Sequence, residues 1–233
     1  MVVATRGVAH GPQWSYFVSG PKPAGAVVGI ACRPGAASAV LGMPVTELTD
    51  RHISVDVLWG ARGRSLRQRL MDIEEPMAVL QALEQELRSR LARPLLIHPA
   101  VAQALADPAH GWGFSRISHV QQLAGYSPKH FIALFRDAVG LTPKHYYRIK
   151  RFDMALQMMT DGARSSLAEL AASLGYADQS HLIREFREFA GITPTQYRPR
   201  GCDSLLHHVA TGAIGARSAG KKNARRGPDD LRR

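Results

Sequence analysis

An internal duplication in the second half of the chain limits the possible fold more than any other feature of the sequence. Short motifs recur about 50 positions apart, and the apolar residues between them recur in the same order. So many matches in one order predict two copies of one structural unit. The matching positions are Gly125-Tyr126 with Gly175-Tyr176, Phe131 with Leu182, Phe135 with Phe186, 140–143 with 191–194, and Tyr146 or Tyr147 with Tyr197.

Each copy has the pattern of a helix, a tight turn and a second helix. In the second copy, Ser166 and Glu169 have the spacing of a capping box, and Gly175 suits a left-handed turn at the end of the first helix. Apolar residues at helical spacing lie between them, namely Leu167, Leu170, Ala171 and Leu174. The first copy has the same design before its glycine, with Ile117, Val120 and Leu123.

The second helix of each copy is predicted to protrude from the domain. It begins near Ser127 in the first copy and near Ala177 in the second, and a turn this short makes two helices pack at a steep angle. Gly140 and Gly191 are expected to cap the ends of these helices. The expected inward anchors are Phe131, Phe135 and Val139 in the first copy, and Leu182, Phe186 and Phe189 in the second.

A single connecting helix is predicted between the copies, from Pro143 to about Thr160. The Thr-Pro pairs at 142–143 and 193–194 supply an N-cap and a first helical residue. Apolar residues of the connector share one face, namely Ile149, Phe152, Leu156 and Met159. A helix is a stiff spacer, so it would hold two protruding helices about one turn of B-DNA apart, roughly 34 Å.

The net charge favours a polyanionic partner. The chain of 233 residues has a formal charge of +11 and a sequence pI near 10.3, which attracts nucleic acid. Lys and Arg outnumber Asp and Glu only by 11 to 9 in residues 1–109, but by 12 to 7 in residues 110–200 and 7 to 3 in residues 201–233. The excess therefore lies with the duplicated half and the residues after it.

The stretch 93–198 resembles the AraC/XylS family of bacterial transcription regulators. The most specific part is the second unit, which runs Gly-Tyr-Ala-Asp-Gln-Ser-His-Leu-Ile-Arg-Glu-Phe from 175 and continues to Arg198. The resemblance implies a mainly α protein with a C-terminal, all-α, homeodomain-like double helix-turn-helix domain at 93–200. It also implies a small α+β sensor or dimerisation domain at 1–92, and we expect a basic, disordered tail at 201–233.

The N-terminal region has less specific similarity to the domain that accompanies a subset of these regulators. The similarity rests on 28–37, on Leu-Gly-Met-Pro at 41–44 and on Leu-Trp-Gly at 58–60. It implies a shortened cupin-like β portion, and the chain is expected to begin inside the usual domain. Residues 27–32 are predicted to form a buried strand, with 55–58 as a second candidate, and helices are predicted between Pro76 and Pro94 and from Pro99 to Ala106.

Residues opposite the inward aromatic anchors are the candidates for contact with bases. In the second copy Arg184 is suited to a guanine and Gln179 to an adenine, while Ala133 of the first copy could contact a thymine methyl group. The full set of candidate base contacts is Lys129, His130, Ala133, Gln179, Ser180, His181 and Arg184. Phosphate contacts, with plain surface charge as the alternative, are expected at Ser127, Arg136, Lys144, Arg187 and Arg198.

Three classes of function have to be weighed for a chain with this duplicated unit. The first is a sequence-specific regulator that binds two adjacent half-sites of a promoter, and the second is a non-specific architectural DNA-binding protein. An enzyme is set aside because a reactive cysteine cluster or an acid/base constellation is lacking in the sequence. The expected partners are double-stranded DNA and RNA polymerase, with an unknown small-molecule effector and a homodimer as further possibilities.

Cofactors and metals are not expected, because Cys32 and Cys202 lie outside any ligand spacing and neither His130 nor His181 has an acidic or cysteine partner at ligand spacing. The apolar stretches are too short to span a bilayer, so the expected location is the cytoplasm.

Overall fold

The structure is a computed structural model, and it describes residues 7–16, 28–91, 97–106, 126–160 and 166–198. The described part is mostly helical, with one small sheet near the N-terminus. This confirms the mainly α class with a small α+β N-terminal region. The predicted first helix of the first copy and the tail after residue 200 lie outside the described residues.

A two-stranded antiparallel sheet and short helices form the beginning of the N-terminal region. Strands β1 (Val8–His10) and β2 (His52–Ser54) pair with Ala9 opposite Ile53. Helix α1 (Ala37–Leu41) and a 3₁₀ helix (Val45–Leu48) lie between the strands. Helices α2 (Val55–Met71), which is broken at Gly60, and α3 (Pro76–Arg90) follow.

The predictions of a strand at 27–32 and of a second strand at 55–58 were wrong. Residues 28–33 have no regular structure, and Ile30 is 47% exposed, so this apolar run is not a buried strand. Residues 55–58 form the first turn of α2. Ser54 caps that turn by accepting a hydrogen bond from the Asp56 amide at 3.2 Å, and this start signal outweighs the β-branched Val55 and Val57.

The duplicated half consists of helices. Its described elements are α4 (Pro99–Ala106), α5 (Pro128–Val139), α6 (Pro143–Thr160), α7 (Leu167–Ser173), α8 (Gln179–Ala190) and a 3₁₀ helix (Pro194–Gln196). The predicted connector over 143–160 is confirmed as α6. The predicted capping box is also confirmed, because Ser166 and Glu169 each bind the backbone amide of the other at the start of α7.

Two apolar clusters hold these helices together. The first lies between α4 and α5 and includes Val101, Phe131 and Phe135, which are each fully buried. The second joins α6, α7 and α8 and includes Ala155, Leu174 and Leu182. Helix α6 contributes to both, because Tyr146 packs on the first cluster and Met158 on the second.

The left-handed caps predicted for the two protruding helices are present. Gly140 has φ +83° and Gly191 has φ +71°, a backbone conformation that a side chain would strain. Each cap amide donates to the carbonyl four residues earlier, at Arg136 and Arg187 respectively. The N-terminal region lies against both caps, because a Cβ at Gly140 would meet Pro12 at 2.8 Å and one at Gly191 would meet Tyr16 at 2.5 Å.

The internal contacts of the chain distinguish two compact units, residues 1–191 and residues 192–233. In the described part of the second unit, Thr193 precedes the 3₁₀ helix and its amide donates to Gln196 Oε1 at 2.9 Å. The predicted start signal at 193–194 therefore begins a short 3₁₀ helix.

Candidate nucleic-acid interface

Helix α8 presents one apolar face and one polar face. Asp178 caps its first turn by accepting a hydrogen bond from the His181 amide at 2.6 Å. Leu182 and Phe186 are fully buried, and Arg184 between them is exposed on the other side. Because residues three and four apart share a face of a helix, the exposed positions form one continuous stripe. The exposed members are Gln179, Ser180, Arg184, Arg187 and Glu188.

Helix α5 has the same length and the same construction. Ser127 caps it by accepting a hydrogen bond from the His130 amide at 3.3 Å, and Pro128 occupies the first helical position. Phe131 and Phe135 are fully buried. The predicted base-contact positions of this helix, which are Lys129, His130 and Ala133, are all exposed, as is Arg136 in its last turn.

The two candidate histidines lie beside the tyrosines of the turns. The ring of His130 is 5.0 Å from that of Tyr126, and the ring of His181 is 5.3 Å from that of Tyr176. His181 is half-buried, and its Nδ1 accepts the amide of Ala177 at 3.4 Å. This contact ties one side of the His181 ring to the helix start, so the ring has less freedom to contact a base than Arg184 has.

The five candidate phosphate contacts are all exposed: Ser127, Arg136, Lys144, Arg187 and Arg198. They differ in what already binds them. The Ser127 hydroxyl is occupied as the cap of α5, and the Arg198 guanidinium donates to the backbone carbonyls of Thr195 at 2.8 Å and of Tyr197 at 2.9 Å. Arg136 and Arg187 occupy equivalent positions at the ends of the two protruding helices.

A buried ion cluster attaches α8 to the connecting helix, and it was not anticipated from the sequence. Glu185 is 2% exposed and accepts hydrogen bonds from Arg148 Nε at 2.8 Å and from Arg151 Nη2 at 2.9 Å. Arg148 also pairs with Glu188. Burial alone would lower the pKa of Arg148, but its hydrogen bonds to Glu188 and Glu185 outweigh that effect and raise it. Arg148 therefore stays charged.

Arg151 extends this ion cluster to the turn of the second unit. Its guanidinium carbon lies 4.0 Å from the centre of the Tyr176 ring, and its Nη1 is 3.4 Å from the Gly175 carbonyl oxygen. Burial raises the pKa of the Tyr176 hydroxyl, and the negative charge of Glu185 raises it further. One arginine of α6 thus contacts both the turn and the protruding helix, and so fixes their mutual orientation.

A sequence signal for this ion cluster exists. Glu185 lies next to Phe186 and three residues after Leu182, on the inward face of an amphipathic helix. A carboxylate at such a position needs a cationic partner, because an unpaired buried charge is strongly unfavourable. Arg148 and Arg151 are three residues apart on the connector and could have been identified as the partners by this reasoning.

Within the described ranges, no group of three or more His, Cys, Asp and Glu side chains could hold a metal ion. The described helices include none that is long and apolar enough to cross a bilayer.

Comparison with known proteins agrees with this geometry. A helix-turn-helix domain model matches residues 121–200. The RCS-specific HTH-type transcriptional activator RclR of Escherichia coli is 34% identical over 131 residues, which are 53% of this chain and 44% of that protein. A putative AraC-like transcription regulator of Streptomyces antibioticus is 32% identical over 107 residues, 44% of this chain and 34% of that protein.

A third relative, the probable transcriptional regulator LumQ of Photobacterium leiognathi, is 30% identical over 82 residues, 35% of this chain and 33% of that protein. The matched regions thus cover 33–44% of the length of these three relatives. No solved structure matches the chain. The matched region contains the two capped helices α5 and α8 and their connector α6. The helix-turn-helix domain at residues 121–200 is therefore similar to that of AraC-like transcription regulators.

Proposed function

We propose that this chain regulates transcription by inserting α5 and α8 into successive major grooves of one operator. The observation that carries the proposal is the structural equivalence of the two helices. Each has 12 residues, an N-cap side chain, buried anchors on one face and an exposed stripe on the other. A protruding helix of this kind fits the major groove, where base edges differ between all four pairs.

The base-contact roles are assigned by position on the exposed stripes. Arg184 would donate two hydrogen bonds to guanine O6 and N7, and Gln179 and Ser180 would contact the neighbouring bases near the start of α8. Lys129, His130 and Ala133 occupy the corresponding part of α5. His181 is given a smaller role, because its Nδ1 already accepts the Ala177 amide.

The phosphate-contact roles are assigned to Arg136 and Arg187, in the last turns of α5 and α8, and to Lys144 in the first turn of α6. Ser127 would contribute through the first turn of α5, whose backbone amides attract an anion. Arg198 would first have to release its contacts to the carbonyls of Thr195 and Tyr197. These contacts would position the chain on the duplex without selecting a sequence.

RNA polymerase is the proposed second partner, and we propose activation as the outcome of binding. Two relatives support this direction by their names, the transcriptional activator RclR of Escherichia coli and the F1 operon positive regulatory protein of Yersinia pestis. Transcription in vitro from a promoter carrying the selected operator should rise when the chain is added. A fall would favour repression. A small-molecule effector and a homodimer are proposals that rest on the N-terminal region alone.

Selection of duplexes from a random DNA pool, followed by footprinting, tests the proposed function. The chain should enrich one operator and bind it at least about 10³-fold more tightly than random DNA at the same salt concentration. The protected region should contain two half-sites about one helical turn apart. Equal affinity for random DNA would overturn the proposal in favour of non-specific binding.

The substitution Arg184→Ala tests the assignment of bases. It should weaken binding to the selected operator by about 1–3 kcal/mol and remove the preference at one base pair. Arg64→Ala is the matched control, because Arg64 is an exposed arginine of α2 and belongs to neither α5 nor α8. An equal loss on operator and random DNA would assign Arg184 to phosphate contact.

A further inference from the structure

The exposed stripe of α5 has an apolar centre between two cations. Ile132 is 38% exposed, although it is a large β-branched residue, and Ala133 beside it is also exposed. Lys129 lies three residues before Ile132, and Arg136 lies four residues after it, so all four share one face of the helix.

The inner face of α5 is already filled without Ile132. Phe131 and Phe135 are fully buried, while Leu134 and Ala138 pack against the same apolar cluster. A single exposed apolar residue is ordinary on a protein surface and by itself indicates nothing. The position of Ile132 is informative because the cations Lys129 and Arg136 lie on either side of it along this face, and their attraction to the duplex would bring the centre of the face to the floor of a groove.

We propose that Ile132 and Ala133 recognise the 5-methyl groups of thymines at the centre of the half-site bound by α5. This inference rests on the proposed function and adds the chemistry of one half-site. The thymine methyl is the one apolar group that base pairs display in the major groove. Neither side chain has a hydrogen-bonding group, so a G·C pair at this place would lose water from its polar edge without a new partner.

The second recognition helix has a different chemistry at its centre. The equivalent of Ile132 is Ile183, which is less exposed, and the equivalent of Ala133 is Arg184. The long arginine side chain reaches base edges from farther away, whereas the short Ala133 lets the backbone of α5 approach more closely. The two half-sites are therefore not copies of each other, and they centre on thymine for α5 and on guanine for α8.

The test removes single methyl groups from the DNA. In the operator selected from the random pool, deoxyuridine replaces the thymines of one half-site at a time, which changes nothing but the methyl groups. Each methyl that contacts Ile132 or Ala133 should cost about fourfold in affinity, which corresponds to ~0.8 kcal/mol per buried CH₂-sized group. This loss of affinity should appear in the half-site bound by α5, which is the half-site whose base preference is unchanged in the Arg184→Ala variant.

A cycle with Ile132→Ala identifies the side chain that contacts the methyl group. In this variant, the loss of affinity caused by deoxyuridine should shrink at the half-site bound by α5. In the control variant Ile183→Ala, the same loss should keep its full size. Ile132 is exposed, so thermal unfolding of the variant should match that of the unsubstituted chain. As a second variant, Ala133→Arg should shift the preference of this half-site from A·T towards G·C.

The outcomes separate this inference from the proposed function. Failure to select any sequence would remove both. A selected operator without thymine in the α5 half-site, deoxyuridine changes of less than about twofold, or penalties unchanged by Ile132→Ala would overturn the inference alone.

Discussion

The helices α5 and α8 agree in their length and their ends but differ in how they are attached to the molecule. Both have 12 residues and end at a left-handed glycine. On the inner face, α5 has Leu134 where α8 has Glu185. Leu134 packs against an apolar cluster, whereas Glu185 is buried against Arg148 and Arg151 of the connector.

This difference shows which parts of the repeat are fixed by geometry and which can diverge. The caps and the buried apolar anchors set where each helix begins, ends and points, so both copies retain them. The remaining inward position needs only a favourable partner, and different elements face it in the two units. A leucine gains from apolar burial, while a glutamate requires a complete set of hydrogen-bonded cations.

Glu185→Ala should have the largest effect on stability. It leaves Arg148 and Arg151 without their shared carboxylate and opens a cavity beside Phe186. Removing one partner from a buried ion cluster costs about 3–5 kcal/mol in the free energy of unfolding. Chemical denaturation followed by circular dichroism measures the change. The loss should persist in high salt, because a buried pair is screened little.

Glu188→Ala is the matched control for this prediction. Glu188 also pairs with Arg148, but its side chain is 48% exposed, so its loss should cost less than about 1 kcal/mol. A triple variant replaces Glu185 by Leu and both Arg148 and Arg151 by Met. It attaches α8 through apolar contacts, as Leu134 attaches α5 in the first unit. It should recover most of the lost stability. Equal effects of Glu185→Ala and Glu188→Ala would contradict the difference between the two units.

The repeated elements were predictable from the sequence because local signals specify them. The capping box at Ser166, the glycines at 140 and 191 and the periodic anchors each act within one helix or turn. The glycines and the anchors recur in both copies, which strengthens their prediction, and the start of the connector at Pro143 follows from its Thr-Pro pair. The exposure of Arg184 follows from the burial of Phe186, since the helix geometry relates the two.

The N-terminal region and the attachment of α8 could not be predicted in the same way. The strands β1 and β2 have three residues each and are distant in sequence, so no local period reveals their pairing. The apolar run at 28–32 has strand-like composition, but it lies exposed, without a partner strand in the described residues. The partners of Glu185 lie 34 and 37 residues earlier, and only the packing of α6 on α8 brings them together.

The first helical turns that follow the caps at Gly140 and Gly191 should differ in how their stability responds to pH. His145 in α6 corresponds to Gln196 after the second copy. Burial lowers the pKa of His145. The contact of its Nε2 with the Trp14 carbonyl oxygen at 3.3 Å opposes this shift. The positive charge of Arg148 lowers the pKa further, whereas the negative charges of Glu188 and Glu185 raise it. Because the folded pKa lies below the ordinary value of about 6.5, the unfolded chain binds the proton more readily.

The stabilisation from neutral His145 is therefore fully present above about pH 6.5 and is lost as the pH falls through the folded pKa. Denaturation midpoints of the unsubstituted chain should fall over this range. In His145→Gln, which makes this start resemble that of the second copy, the fall should be smaller. Fluorescence can follow the contact directly, because the ring of His145 lies 4.9 Å from that of Trp14. An identical pH profile for both proteins would show that other groups cause the change.

Arg136 and Arg187 give the smallest expected effect and the most direct comparison of the two units on DNA. Each is exposed in the last turn of its helix, and 51 positions separate them. If both helices dock in a major groove, each arginine should neutralise one phosphate. Replacement of either by Ala should then reduce the slope of log affinity against log salt concentration by about 0.9.

Titrations of the selected operator at several salt concentrations measure this slope, with Arg64→Ala as the control that should leave it unchanged. In the double variant the slope should fall by about 1.8, which is the sum of two independent contacts, because the two residues lie on separate helices. A slope that responds to Arg187 but not to Arg136 would mean that α5 does not reach the backbone of the duplex. Recognition would then belong to α8 alone, despite the structural equivalence of the two helices.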